Sequence, residues 1–373
     1  MMIQRKLLKT GLTLTDFIQY LHFNLNVTFF HPYHCKALRS LLLSGGGIGW
    51  GLILFLLSSC NYLFMDEQKS DNAQNNFDLL WQIFDERYCY FKEKSVDWEE
   101  IYHRYYPHKS MPDDTQFSRM ASMLEELKDG HVTIDNGTSF RTYSGWHTSY
   151  PVNFSSSLIN FYMNQAICLN NCGTILSVLP ESIGYIRCPS FSDKFNRDDL
   201  DNAMAKFKSV KGVIIDVRNN GGGLVSEAYM LASRFTREKT HVGYVRYKTG
   251  KGHNDFSDYF ARYVAPDGAH PFYGKVAVLT NRKVYSAANL FVSIMSNLPQ
   301  VRIIGDHTGG GGGVPISAEL YNGWTVKLST NPVFDINKRS IESGIKPDQS
   351  IELEKDTKID NIIEAAKTWI LAN

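Results

Sequence analysis

Gly212-Val213-Ile214-Ile215-Asp216-Val217-Arg218-Asn219-Asn220-Gly221-Gly222-Gly223 is the stretch that decides the fold. Its first six residues form a short apolar run without polar alternation, which reads as a strand covered on both faces. The glycines that follow end it, and a helix is expected from about Ser226 to Phe235. The same pattern recurs. Val276-Ala277-Val278-Leu279-Thr280 is another apolar strand, followed by a helix from about Ser286 to Ser296. Val301-Arg302-Ile303-Ile304 and Gly184-Tyr185-Ile186-Arg187-Cys188 are further candidates. Apolar strands alternating with helices define a mixed α/β sheet buried on both faces.

Towards the N-terminus the period changes. Phe77, Leu80, Trp81, Phe84 and Tyr88 recur at helical spacing, Trp98 to Tyr106 continues it, and a third helix starts near Asp114 with Phe117, Met120, Met123, Leu124 and Leu127 on one face. These apolar stripes read as helix-bundle core. Gly130 in Lys128-Asp129-Gly130-His131 reads as the stop of the third helix. His131-Val132-Thr133-Ile134 then reads as a strand entering an Asn136-Gly137 turn. Further upstream, the apolar run Leu41 to Leu57 follows Lys36 and Arg39 and closes on Leu57-Ser58-Ser59-Cys60, which has the form of an export signal. The last four residues resemble a bacterial lipobox, whose cysteine is lipidated after cleavage. The rival reading is an uncleaved span, for which the run is short. The expected division is a signal over 1–60 with an over-extended start, a polar tether over 61–76, helices over 77–130, a β-rich link over 131–182 and the core over 183–373.

The 373 residues carry a net charge of +1 and 43% hydrophobic residues, the composition of an ordinary globular protein. No basic stretch points to nucleic acid. The six cysteines have no zinc-ligand spacing. Cys168 and Cys172 can pair in an oxidising compartment or stand as two small unpaired residues. The run Gly309–Gly313 lacks the lysine of a phosphate loop, and neither an HExxH pair nor a GxSxG elbow is present. No metal or cofactor is expected.

Two strand-to-helix junctions are left to carry chemistry. Asp216 to Gly223 offers glycine N–H groups that a ligand can approach closely. Asn281-Arg282-Lys283-Val284-Tyr285-Ser286-Ala287-Ala288 places a hydroxyl at the start of a helix, with the next N–H unspent. One junction supplies a nucleophile and a donor, the other a second donor, as an oxyanion hole requires. Taken singly, Ser286 is equally a helix N-cap.

The order of motifs decides between these readings. Lys-Asp-Gly-His at 128–131, Gly-Tyr-Ile-Arg at 184–187, Asp-Val-Arg-Asn-Asn-Gly-Gly-Gly at 216–223, Thr-Asn-Arg-Lys-Val-Tyr-Ser-Ala-Ala at 280–288, Gly-Asp-His-Thr-Gly-Gly at 305–310 and Gly-Ile-Lys-Pro-Asp at 344–348 follow one another. This series resembles the tail-specific (C-terminal-processing) serine peptidases and the core of tricorn protease, over about Phe77 to Ile362. The resemblance implies a ClpP/crotonase-like mixed-sheet core preceded by a small helical domain. Too few residues separate His131 from Gly184 for the PDZ domain that many members carry. It also implies Ser286 as nucleophile, with Gly222 or Gly221 and Ala287 as oxyanion donors. Where the tail-specific branch places its catalytic lysine, Gly311 stands. The tricorn-like branch uses a histidine and a glutamate instead, matched by His131 and Glu342, and Gly130 replaces a hydroxyl residue that helps that histidine. The expected activity is endopeptidase cleavage of peptides or unfolded C-terminal tails, in a bacterial cell envelope, by a protein anchored through Cys60. The alternative is an inactive peptide- or ligand-binding lipoprotein on the same fold.

Overall fold

The computed structural model describes residues 70–107, 111–163 and 166–372. The apolar run, Cys60 and most of the polar tether lie outside the described residues. Four helices come first: α1 (Ala73–Arg87), α2 (Phe91–Lys94), α3 (Trp98–Tyr105) and α4 (Asp113–Glu125). They are followed by β1 (Thr133–Asp135), β2 (Phe140–Thr142), the one-turn helices α5 (Gly145–Thr148) and α6 (Ser156–Ile159), β3 (Ile167–Cys168), β4 (Ile175–Leu179) and β5 (Ile183–Arg187). Next are α7 (Arg197–Met204), β6 (Gly212–Asp216), α8 (Val225–Ser233), β7 (Thr240–Val245) and β8 (Phe260–Val264). The chain closes with β9 (Lys275–Thr280), α9 (Ala287–Met295), β10 (Val301–Gly305), β11 (Gly313–Glu319), β12 (Thr325–Phe334), β13 (Gln349–Ser350) and α10 (Asn361–Leu371).

The apolar strands build one sheet in the order β13-β10-β9-β6-β5-β4-β3. Its centre, β5, β6, β9 and β10, is parallel. Every residue of β5 and β6 is buried, because helices cover both faces. Val213, Ile215 and Val278 pack with Leu231 of α8 and Phe291 of α9. Ile214, Ala277 and Leu279 face Ile363, Ala366 and Ile370 of α10. Each fully buried aliphatic side chain contributes about 1.5–3 kcal/mol, so the run at 212–217 is anchored from both sides.

The second sheet runs β2-β1-β12-β7-β8, with β11 paired to β12. The N-terminal helices do not form a bundle of their own. Phe77, Phe84, Met120 and Leu124 share a core with Ala318, Trp324, Val326 and Leu328 from the β11–β12 hairpin. Helices this short cannot hide their apolar stripes from water among themselves, and the hairpin supplies the missing surface.

Three local expectations are corrected. Helix α1 begins at Ala73, where the Asn75 N–H donates to the Asn72 side chain at 2.9 Å, so the end of the polar tether is its first turn. Helix α4 ends at Glu125, and the left-handed residue beyond it is Lys128 at φ 48°, not Gly130. The strand after it starts at Thr133 rather than His131. Cys168 and Cys172 are unpaired.

Because β6 and β9 are parallel neighbours, with Asp216 opposite Leu279, the chain leaves both at the same end of the sheet. The two junctions are then laced together. The Asn219 N–H donates to Asn281 Oδ1 at 2.9 Å, and the Tyr285 N–H donates to the Asn220 carbonyl at 3.0 Å. Beneath them lies Arg218, wholly buried and paired with Asp216 at 2.7 Å and with Asp360 at 2.9 Å.

Candidate active site

Ser286 occupies the N-cap position of α9 with φ 56° and ψ −123°. A non-glycine residue at positive φ stores strain of about 1–3 kcal/mol. The neighbours hold it there: its N–H donates to the Gly310 carbonyl at 2.9 Å, and its carbonyl accepts from Leu290 at 2.9 Å. Gly222 packs directly on it, since a Cβ at 222 would fall 2.8 Å from Ser286 Cβ. The Ser286 hydroxyl makes no capping bond. Instead Oγ lies 2.9 Å from His131 Nε2. The bland reading of Ser286 as a helix cap is therefore set aside.

His131 arrives from the other sheet, in the turn between α4 and β1. Its backbone N–H donates to Asp129 Oδ1 at 2.8 Å. Asp129 is buried and collects three more donors: Tyr88 at 3.1 Å and Ser329 at 3.0 Å on Oδ2, and Tyr285 at 3.4 Å on Oδ1. Burial pushes the imidazole below its ordinary pKa; Lys327 and Lys94 add to this, and Asp129 opposes it. The ring is thus neutral at neutral pH, with Nε2 able to accept the Ser286 proton.

Glu342 is placed differently from the sequence expectation. No hydrogen bond joins its carboxylate to His131, whose Nδ1 has no partner among the described residues. One oxygen pairs with Lys94 Nζ at 2.9 Å, and the other accepts the Gly312 N–H at 2.8 Å. Burial and the nearby Asp129 push this carboxyl up to about 8, against the pull of Lys94 and the Gly312 N–H. The Glu342 carbonyl also accepts the Gly311 N–H at 3.1 Å. Glu342 therefore grips the glycine run whose Gly310 carbonyl holds Ser286.

The expected oxyanion donors are not equivalent. The Gly222 N–H donates to Asn220 Oδ1 at 2.9 Å and is spent on the turn. Gly221 is exposed, with open space around it. Ala287 is the first residue of α9, where N–H groups have no partner within the helix.

The two departures at glycine have a common cause. A Cβ at Gly130 would lie 2.9 Å from the Tyr285 hydroxyl and 2.6 Å from Trp146 Nε1. At Gly311, where φ is +79°, it would lie 2.5 Å from Tyr285 Cζ. Tyr285 fills the space that a residue with a side chain would need at either position. Sequence reasoning missed Tyr285, Asp129, Lys94 and Trp146. The first two adjoin quoted site residues; nothing in the sequence marks the other two. Among the described residues, no cluster of three His, Cys, Asp or Glu is placed to hold a metal. A cleft lined by Leu158, Phe161, Leu179 and Ile359 together with charged Glu181, Lys358, Glu364 and Lys367 shares no residue with this site.

Fold and site together define a class: a mixed α/β protein presenting a strained serine at a strand–helix junction, with a neutral histidine in hydrogen-bond reach. Comparisons with known proteins agree. Residues 182–351 match the model of peptidase family S41, and residues 70–108 match the tricorn protease C1 domain. A solved structure of a candidate peptidase from Parabacteroides merdae is 40% identical, with a TM-score of 0.77, covering 81% of this chain and 98% of that one. The carboxy-terminal processing protease CtpA of Bacillus subtilis is 28% identical over 200 residues, 52% of this chain and 41% of its own length. Mature CPAF, solved in complex with lactacystin, has the same fold at 11% identity, with a TM-score of 0.62 and coverage of 80% of this chain and 97% of that one. The chain belongs to peptidase family S41, the family of the tail-specific proteases. It spans about two fifths of the length of the CtpA it matches.

Proposed function

We propose that this chain is a serine endopeptidase that cleaves peptides or unfolded protein tails, with Ser286 as nucleophile and His131 as general base. The observation that carries the reading is the 2.9 Å contact between His131 Nε2 and Ser286 Oγ. As Oγ attacks the scissile carbonyl, its proton passes to Nε2. The oxyanion that forms is met by the Ala287 N–H and, across the junction, by Gly221, because Gly222 has given its N–H to Asn220. The imidazolium then returns the proton to the departing amine. Water, activated by the same ring, releases the acyl group from Ser286. Glu342 supports this indirectly, by fixing the glycine run behind Ser286.

Processing of C-terminal tails is the finer reading, supported by likeness to a carboxy-terminal processing protease. A place in the cell envelope, anchored by lipid on Cys60, rests on the sequence Leu57-Ser58-Ser59-Cys60. Among the described residues no helix is long and apolar enough to cross a membrane. Intact-mass analysis of membrane fractions from wild type and Cys60→Ala checks the anchor, and an unprocessed wild-type N-terminus would reject it. For the activity, the test is labelling by a fluorophosphonate probe together with hydrolysis of an unfolded protein. Wild type should do both and Ser286→Ala neither. A wild type inert in both assays would make the chain a binding protein on a peptidase fold.

A further inference from the structure

The His131 ring is held at Nε2 by Ser286 and, among the described residues, by no hydrogen bond at Nδ1. Yet a base must keep one plane to take a proton along one line. The imidazole packs against an aromatic wall. The Tyr285 ring lies against the imidazole, with centroids 4.9 Å apart at 52°. Trp146 of α5 stacks on Tyr285 at 4.2 Å and 25°. The phenol, buried and with its pKa raised well above the ordinary value by that burial and by Asp129, keeps its proton and donates it to Asp129 Oδ1. That oxygen also accepts the His131 backbone N–H, so one carboxylate ties the wall to the base. Gly130 and Gly311 leave the room that this ring occupies.

We propose that Tyr285 is the positioning residue for His131: its ring, backed by Trp146, sets the imidazole plane, and its hydroxyl, bound to Asp129, fixes the ring. This rests on the serine-peptidase reading and assigns to a tyrosine the orienting task expected of Glu342. The charged groups facing His131 are Asp129 before β1, Lys94 on α2 and Lys327 on β12; Tyr285 faces Asp129 and Glu342.

The test uses the folded chain and three variants: Tyr285→Leu, Tyr285→Phe and Trp146→Leu. Readouts are the rate of fluorophosphonate labelling at Ser286, kcat and KM on an unfolded protein, and the pH profile. Loss of the wall in Tyr285→Leu should slow labelling about 100-fold, the scale of a misplaced catalytic group, with KM within about twofold. Tyr285→Phe keeps the ring and should recover all but about three- to tenfold. It should also move the acid limb of the profile upward, because Asp129 loses a donor and acts more strongly on the imidazole. A merely structural tyrosine would leave that limb in place. Trp146 is half-buried in a one-turn helix, so Trp146→Leu leaves the core intact and should slow labelling about three- to tenfold even if Tyr285→Leu fails to fold. Labelling of Tyr285→Phe and Trp146→Leu at the wild-type rate, with an unmoved acid limb, overturns the proposal while the peptidase reading stands. A wild type that does not label overturns the peptidase reading instead.

Discussion

Gly311 offers the most direct measure of how tightly the site is built. Replacing it with alanine forces a side chain onto a backbone at φ +79°, which costs about 1–2 kcal/mol in the left-handed region. The new Cβ would stand 2.5–2.8 Å from three atoms of the Tyr285 ring. That ring cannot retreat, because Trp146 stacks on it at 4.2 Å and His131 lies 4.9 Å away. Overpacking of this kind costs about 1–3 kcal/mol, so the total is about 2–5 kcal/mol. The control is Gly137→Ala. Gly137 also has positive φ, at 84°, but none of the described residues lies within 4 Å of its Cβ position, so it isolates the backbone cost. Urea unfolding should show Gly311→Ala less stable than Gly137→Ala by about 1–3 kcal/mol. Fluorophosphonate labelling should fall with it, because Tyr285 and Ser286 are consecutive. Equal stabilities for the two variants, with full labelling of Gly311→Ala, would refute the packing argument. Gly311→Lys should behave no better than the alanine variant, since it carries the same Cβ clash.

Four further outcomes are expected. Ser286→Ala should lose labelling and hydrolysis while unfolding at nearly the wild-type urea concentration, since its hydroxyl caps nothing; a large loss of stability would mean the hydroxyl has a structural role. His131 must be neutral to act, and burial lowers its pKa. The acid limb of kcat/KM should therefore fall below the usual value of about 6.5, with flat activity through neutral pH; a midpoint above 7 would point to another base. Glu342→Gln mimics the protonated carboxyl, whose pKa is raised to about 8, and Lys94 keeps the Lys128 carbonyl at 3.1 Å, so the variant should unfold within about 1 kcal/mol of wild type at pH 5. Since the folded pKa of Glu342 is raised to about 8, wild type loses stability as pH climbs from the unfolded value of about 4.3 towards 8. Glu342→Gln should accordingly gain on wild type over that window, and a variant that falls behind as pH rises would contradict the raised pKa. Arg218→Leu leaves Asp216 and Asp360 without their cation in a dry interior and should cost about 3–5 kcal/mol by the same measurement.

The parallel centre of the first sheet was legible because β6 and β9 are buried on both faces, and that condition writes an unbroken apolar run into the sequence. The hairpin β11–β12 left no such mark. Only Gly313 and Ala318 of β11 are buried, and the register shifts between Val314 and Pro315, so no regular pattern marks it; its partners are helices more than 180 residues earlier in the chain. The Ser286 junction was readable as a motif because its chemistry is local: one strand, one turn, one helix. The placement of Glu342 was not. Which oxygen meets which donor depends on Lys94 and Gly312, which come together only in the folded chain. Gly130 shows the same limit: read locally it stops a helix, whereas in the fold it clears space for Trp146 and Tyr285.

The proposed base and nucleophile stand 155 residues apart, one beside each sheet. A chain emerging from the ribosome displays His131 long before Ser286 has been made, and neither portion alone holds a hydrolytic pair. The strained turn at Ser286, too, is held by carbonyls from the 220 and 310 regions. An incomplete or unfolded copy consequently lacks the 2.9 Å contact on which the proposed activity rests, so the site comes into being only with the finished fold.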